Sequence, residues 1–510
     1  MHSLKAFALL TVCVGLAVVG LIPSEPTRGA STKATPAANS IPPDAWQIPF
    51  APDNEGSPVQ TEGDYYKFAW QSFIALNWPA LSGQRGTPDT TKKIGDKGAD
   101  GQLLPVVWDT FKGPSELFLP NAQTPGPWDS PPPAPPAYCT GLHPGEMVLS
   151  MAAKDEPGVL SDVNQAGFPQ SAKMKLRGPV VDQSLNYVRY DIRLDRSEFQ
   201  YFVDNKYYDQ SVQKTAVRNT KQGKQPAFLF PPKGNEDWIQ QLPPYARQGS
   251  IELKSAWRIL DPRKDVLERY YHVPAYVADP AAKTCREVTV GLIGLHILRL
   301  TPKTGATWVW ATFEQVDNVE VGAGAPHSPG GTPLAPSLNP GPNGKPKPPY
   351  FGGYYGKEPP PVLPNQPLPN PTAPNDISRL TPMLGDAQAV NRQYQSMLGG
   401  TVWQYYELVG SLNPYVKGAT GPQKYVVPHH SYPDSADPAY INSRDLANTS
   451  MEAYVQSTSC IVCHAYAVPW GATFICDPKG CSDVSKFQAF TFLLKYAQPP
   501  QAPPRAKRTD

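Results

Sequence analysis

The sequence predicts an α+β chain: a large β-rich N-terminal body followed by a small, mainly helical module. Three observations point there. Apolar residues alternate with period two in several segments between residues 187 and 316. Pro is abundant, 62 in 510 residues, and turn signals recur between those segments. Beyond a stretch with 17 Pro in 49 residues, 326–374, helical periodicity takes over.

Taken in order, Lys5 precedes the uncharged run 6–22 (AFALLTVCVGLAVVGLI), the pattern of an export signal or of a short N-terminal anchor over residues 1–30. Either reading puts the rest of the chain outside the cytoplasm. Residues 31–45 read as a Pro/Ala/Ser-rich linker. The β-rich body is expected over 46–321. It opens with a buried helix at 65–77, where Ala69, Phe73 and Leu76 recur at i, i+4, i+7. Val188, Tyr190, Ile192 and Leu194 mark a strand, and Ile251–Leu260 behaves alike, with Glu252 and Lys254 expected on its solvated face. Residues 288–300 and 308–316 flank the turn 301–306 and read as a hairpin. Residues 322–375 are a Pro/Gly-rich linker or loop, with an aromatic cluster at Tyr350, Phe351, Tyr354 and Tyr355. Helices are expected at 386–398, 401–412, 448–466 and 482–496, forming a module over 376–500 before a short tail, 501–510. Thr449 and Glu452 have capping-box spacing.

Charged residues are 18% and the net charge is +2, with no long basic run, which argues against a nucleic-acid partner. Membrane association is expected only through residues 6–22.

The specific chemical signal is Cys460-Ile461-Val462-Cys463-His464. Two thiols three positions apart reach the two vinyl groups on one porphyrin edge, and the following imidazole lies under the iron, so Cys-x-x-Cys-His is the attachment sequence of c-type haem. One covalent haem per chain follows, held by Cys460 and Cys463 with His464 as axial ligand. Two rivals use the same cysteines. With Cys476 and Cys481 they make C-x2-C-x12-C-x4-C, a four-thiolate zinc spacing, and a bare Cys-x-x-Cys fits a redox dithiol. Neither needs His464. In an oxidising compartment the remaining cysteines suggest the disulfides Cys476–Cys481 and Cys139–Cys285.

No Met or His follows His464, so a sixth iron ligand has to come from upstream or be absent. His429 and His430, in VPHHSYP, and Met397, Met451 and Met383 are the candidates. His296 lies inside an apolar strand with Glu314, Asp317 and Asn318 close after the next one; a buried His beside a carboxylate is either an acid–base pair or a hydrogen-bonded core residue.

The stretches QSFIALNWP (71–79), GSIELKSAWRIL (249–260), VGLIGLHILRL (290–300), WVWATFEQVDNV (308–319) and LANTSMEAYVQSTSCIVCH (446–464) resemble those of exported bacterial single-haem (CxxCH) cytochrome c family proteins. The resemblance implies a periplasmic location, one covalent haem and electron transfer to a periplasmic redox partner protein. It implies no substrate. Cys460, Cys463 and His464 are the positions it carries over. Two other functions remain open on the sequence: a haem peroxidase or oxygenase with an open iron site, and a haem-containing sensor or binding protein.

Overall fold

The apolar alternation before residue 300 becomes one 17-residue strand, Thr284–Leu300, and the fold is organised around it. The computed structural model describes residues 40–49, 62–132, 134, 136–141, 147–150, 179–224, 227–231, 248–279, 282–300, 308–319, 336–339, 354–355, 370–379, 383, 385–412, 446–454, 456, 460, 464, 467–472, 476–477, 480–481 and 491–501. All fall within one unit, Asn39–Asp510. Their strands are β1 (Met147–Ser150), β2 (Arg189–Leu194), β3 (Ile251–Ile259), β4 (His272–Asp279), β5 (Thr284–Leu300), β6 (Trp308–Gln315), β7 (Tyr354–Tyr355), β8 (Asp376–Ile377), β9 (Tyr406–Leu412), β10 (Cys476–Asp477) and β11 (Gly480–Cys481). Their α-helices are α1 (Glu62–Leu76), α2 (Pro114–Leu117), α3 (Arg196–Asp204), α4 (Gln210–Lys221) and α5 (Gly385–Met397).

β5 has β3 along one edge, from Ile251 opposite Arg299 to Ile259 opposite Val290. Its other edge is shared. β4 pairs with the first half, His272 opposite Gly291, and β6 with the second, Gly294 opposite Glu314. β2 extends the sheet beyond β3, β9 beyond β6 and β1 beyond β4; only the β1–β4 pairing is parallel. The fork falls at Gly291 and Gly294. A Cβ at Gly291 would lie 2.8 Å from Leu260 Cδ1, and one at Gly294 would collide with Ser450 Oγ, so both positions need a bare backbone.

Alternation along β6 assigns the two faces. Phe313 packs on Trp70 and Phe73 of α1, and Val309 on Tyr65 and Phe68, so α1 covers one face. α5 lies beside it. Asn391 accepts from Trp70 Nε1 at 2.9 Å, and its amide donates to Leu408 O on β9. The other face presents Trp308, Trp310, Thr312 and Glu314. Trp308 meets Phe230, Thr312 and Glu314 bond to Asn448 and Thr449, and Trp310 meets His464. A disulfide joins Cys139 to Cys285 at the start of β5.

The expected separate helical module is corrected by this topology. Residues 401–412 form a short 3-10 turn, Val402–Tyr405, followed by strand β9, which pairs with β6 in the main sheet. The run TVWQYYELVGSL is rich in aromatic and β-branched residues. Its apolar spacing satisfies both periods, and the free edge of β6 decides between them. Residues 449–454 form turns rather than the start of a helix. Asn448 Oδ1 accepts from Ser450 N and Ser450 Oγ, and Glu452 Oε2 from Asn448 N, the local side-chain bonding that competes with helix. At the C-terminus only a five-residue 3-10 segment, Phe492–Tyr496, is described; 482–490 lie outside the described residues. The architecture is therefore mostly sheet with few helices. Glu252, expected on a solvated face, is 6% exposed beneath Thr491.

Among the described residues no helix is long and apolar enough to cross a membrane, and the segment 6–22 is not among them.

Candidate functional site

His464, the last residue of the Cys-x-x-Cys-His run, lies against the sheet face that carries Trp310. Cys460 and His464 both have helical backbone and are half-buried; Cys463 lies outside the described residues. Cys460 packs against the main core and is not half of a disulfide. The His464 ring is held between two aromatic edges: Phe492 at 5.1 Å between centroids and Trp310 at 6.0 Å, inclined by 62° and 63°. Its carbonyl accepts from Ala467 N at 2.9 Å.

Both aromatic walls are fixed from behind. Trp310 is opposite Leu298 on β5 and Leu412 on β9. Phe492 opens the 3-10 segment, whose N-cap is Thr491. Thr491 Oγ1 accepts from Leu493 N and donates to Glu252 Oε2 at 2.6 Å. Neither Trp310 nor Phe492 was legible as a site residue, because the signal for each is its register beside His464.

The chain entering the motif is clamped by buried polar contacts. Thr449 N and Oγ1 both donate to Glu314, each at 2.6 Å, and Arg379 Nη2 donates to the same carboxylate at 2.7 Å. Asn448 Nδ2 donates to Thr312 Oγ1 and Phe313 O, and Tyr190 OH to Ser450 O. His296 Nε2 lies 2.9 Å from Glu452 Oε1, the side chains 13% and 24% exposed. Burial works to raise the Glu452 carboxyl, but the His296 imidazole, Lys254 and the Asn448 N–H more than offset it and hold it below the usual range. The carboxylate beside His296 is thus Glu452. Glu314 serves Thr449 and Arg379, Asp317 holds Arg269 in a two-point ion pair, and Asn318 Nδ2 donates to Ile293 O. The chemistry available at His296 is that of an oriented imidazole–carboxylate pair, and its position ties β5 to the segment leading into the motif.

A second polar cluster lies behind Thr491. Asp195 caps α3 and accepts from Glu198 N and Ile251 N. Glu198 is fully buried with neither carboxylate oxygen hydrogen-bonded. Burial pushes Asp195 and Glu252 up to about 7, against the backbone N–H groups on Asp195 and the Thr491 hydroxyl on Glu252. Burial, with the Glu252 and Asp195 charges adding to it, holds Glu198 well above the usual carboxylate range.

The remaining candidates are dispersed. Met451 is buried in a second core cluster with Tyr454 and Ile293, Met397 is half-buried against the main core, and Met383 is buried there near Asn391. His429 and His430 lie outside the described residues. The backbones of Cys476 and Cys481 are partners across the β10–β11 hairpin. Among the described residues no group of three or more His, Cys, Asp or Glu is placed to hold a metal ion. No family model, curated protein or solved structure matches the chain.

Proposed function

We propose that this chain is an exported monohaem c-type cytochrome that transfers single electrons in the periplasm. The observation that carries the reading is the run Cys460-Ile461-Val462-Cys463-His464, with its first and last members on helical backbone and half-buried. The residue types fit the group: Cys460 and Cys463 would hold haem through two thioethers, and His464 would donate a nitrogen to the iron. Bound haem supplies a one-electron iron couple. The chain's own residues position and shield the ligands. Trp310 and Phe492 restrict the His464 ring and keep water from its edges. Glu314, Thr449, Asn448 and Glu452 anchor residues 448–452, upstream of the motif, to the sheet.

The test is a pyridine haemochrome spectrum of protein matured in a bacterial periplasm with a haem-attachment system. The expected result is one haem per chain with the band position of two thioethers, and pigment that stays with the protein in acid–acetone. Cys463→Ser is expected to move the band to that of a single thioether. A colourless wild-type protein, or pigment fully released by acid–acetone, sinks the reading; zinc in that colourless protein would point to the thiolate site instead.

A further inference from the structure

Helix α4 has an exposed face of one charge sign. Lys214, Arg218 and Lys221 recur at i, i+4, i+7 and all are exposed, as is Lys224 just beyond the helix. The helix Gln210–Lys221 contains no acidic residue; Asp209 precedes it as N-cap, bonded to Ser211 N and Oγ. This face runs into the motif region. Trp470, six residues after His464, donates its backbone N–H to Gln213 on α4 at 2.9 Å and its indole N–H to Lys495 O at 3.2 Å. Lys214 Nζ and Lys495 Nζ lie 5.7 and 5.3 Å from the Trp470 ring centroid. Gly471 sits so close to α4 that a Cβ there would be 3.0 Å from Lys214 Cα, and its φ of +88° also favours Gly. Lys495 in turn belongs to the 3-10 segment whose first residue, Phe492, touches the His464 ring.

Two ammonium groups at one half-buried indole concentrate positive charge, with cation–π attraction offsetting part of their repulsion. The chain as a whole has a net charge of only +2, so this face departs from the average surface. A basic face contiguous with a redox ligand suits a partner of opposite charge, because complementary fields raise encounter rates and fix orientation.

We propose that Lys214, Arg218 and Lys221, with Trp470 and Lys495, form the docking surface for an acidic one-electron redox protein. The proposal rests on the haem reading of Cys460, Cys463 and His464. One electron passes between the iron and the partner's centre, one being oxidised as the other is reduced, and no atom or proton is transferred.

The test compares haem-loaded wild type with K214E/R218E/K221E, using a small acidic plastocyanin-type copper protein as probe. Affinity is read by calorimetry and electron exchange by stopped flow, between about 10 and about 300 mM salt, where screening changes most. Charge reversal is expected to weaken binding at least about tenfold at low salt. The wild-type exchange rate should fall with salt and the variant's should rise or stay flat. R218E/K221E leaves the Lys214–Trp470 contact intact and serves if the triple variant misfolds. Equal affinity and equal salt dependence in haem-loaded wild type and variant overturn the docking face while leaving the haem reading standing. Preferential binding of wild type to phosphatidylglycerol vesicles over the copper protein overturns it in favour of a lipid surface. A colourless protein overturns the haem reading and takes this proposal with it.

Discussion

Glu314→Leu is expected to lower the stability of the protein by about 3–5 kcal/mol, the cost of breaking a buried ion pair by removing one partner. The Glu314 side chain is 1% exposed and that of Arg379 5% exposed. Arg379 Nε and Nη1 already have no hydrogen-bond partner, so loss of Glu314 strips the guanidinium of the carboxylate that its Nη2 donates to. Thr449 loses both acceptors at the same time, and the segment entering the Cys-x-x-Cys-His run comes free of β6. Glu407, opposite Glu314 on β9, is pushed up to about 7 chiefly by burial, with Arg379 pulling it down and Glu314 adding to the rise. Removing Glu314 therefore also lowers the Glu407 pKa. Denaturant unfolding checks the magnitude. The double variant Glu314→Leu/Arg379→Leu should recover much of the loss, because it removes the stranded charge. A single variant within about 0.5 kcal/mol of wild type, the range of an ordinary surface substitution, sinks this account.

The second large effect is a loss of stability between about pH 4 and pH 7 from the cluster of Asp195, Glu198 and Glu252. The sign follows from proton counting. Asp195 and Glu252 titrate near 7 in the folded chain and near the usual carboxylate value when unfolded. Across that interval the folded state binds more protons, so unfolding becomes easier as the pH rises. The contribution is fully present below the unfolded value and gone above the folded one. Glu198, also held well above the usual carboxylate range by burial, adds to the loss in the same direction. Arg299 favours the ionised form of Asp195 and Lys254 that of Glu252, so both limit the effect. Glu198→Gln/Glu252→Gln keeps the shapes and removes the titration. It is expected to match wild type near pH 5 and to exceed it by about 2 kcal/mol or more at pH 8. Parallel stability–pH curves for the two proteins would show that the carboxyls do not titrate as a buried cluster.

Legibility of the fold followed the range of the interactions. α1 was readable because Ala69, Phe73 and Leu76 mark a local period, and the β5–β6 pair because two apolar runs flank a short turn. β9 was not, since Tyr406–Leu412 becomes a strand only through β6, nearly a hundred residues earlier. The turns at 449–454 depend on Glu314 and Thr312 in the same way. The motif at 460–464 was readable because its chemistry is contiguous in sequence. Its surroundings were not: Trp310 and Phe492 carry no local signal, and Glu252 sits in an alternation that looks solvated until α3 and Thr491 cover it.

The sharing of β5 by partners remote in sequence sets a temporal order on assembly. Thr491 closes over Glu252, Leu493 and Leu494 fill the core, and Gln498 exchanges backbone bonds with Tyr208 and Gln210. Contacts of such long range are costly to close, so they are expected late in folding. Cys460, which packs half-buried against the same core, is expected to stay accessible until that closure.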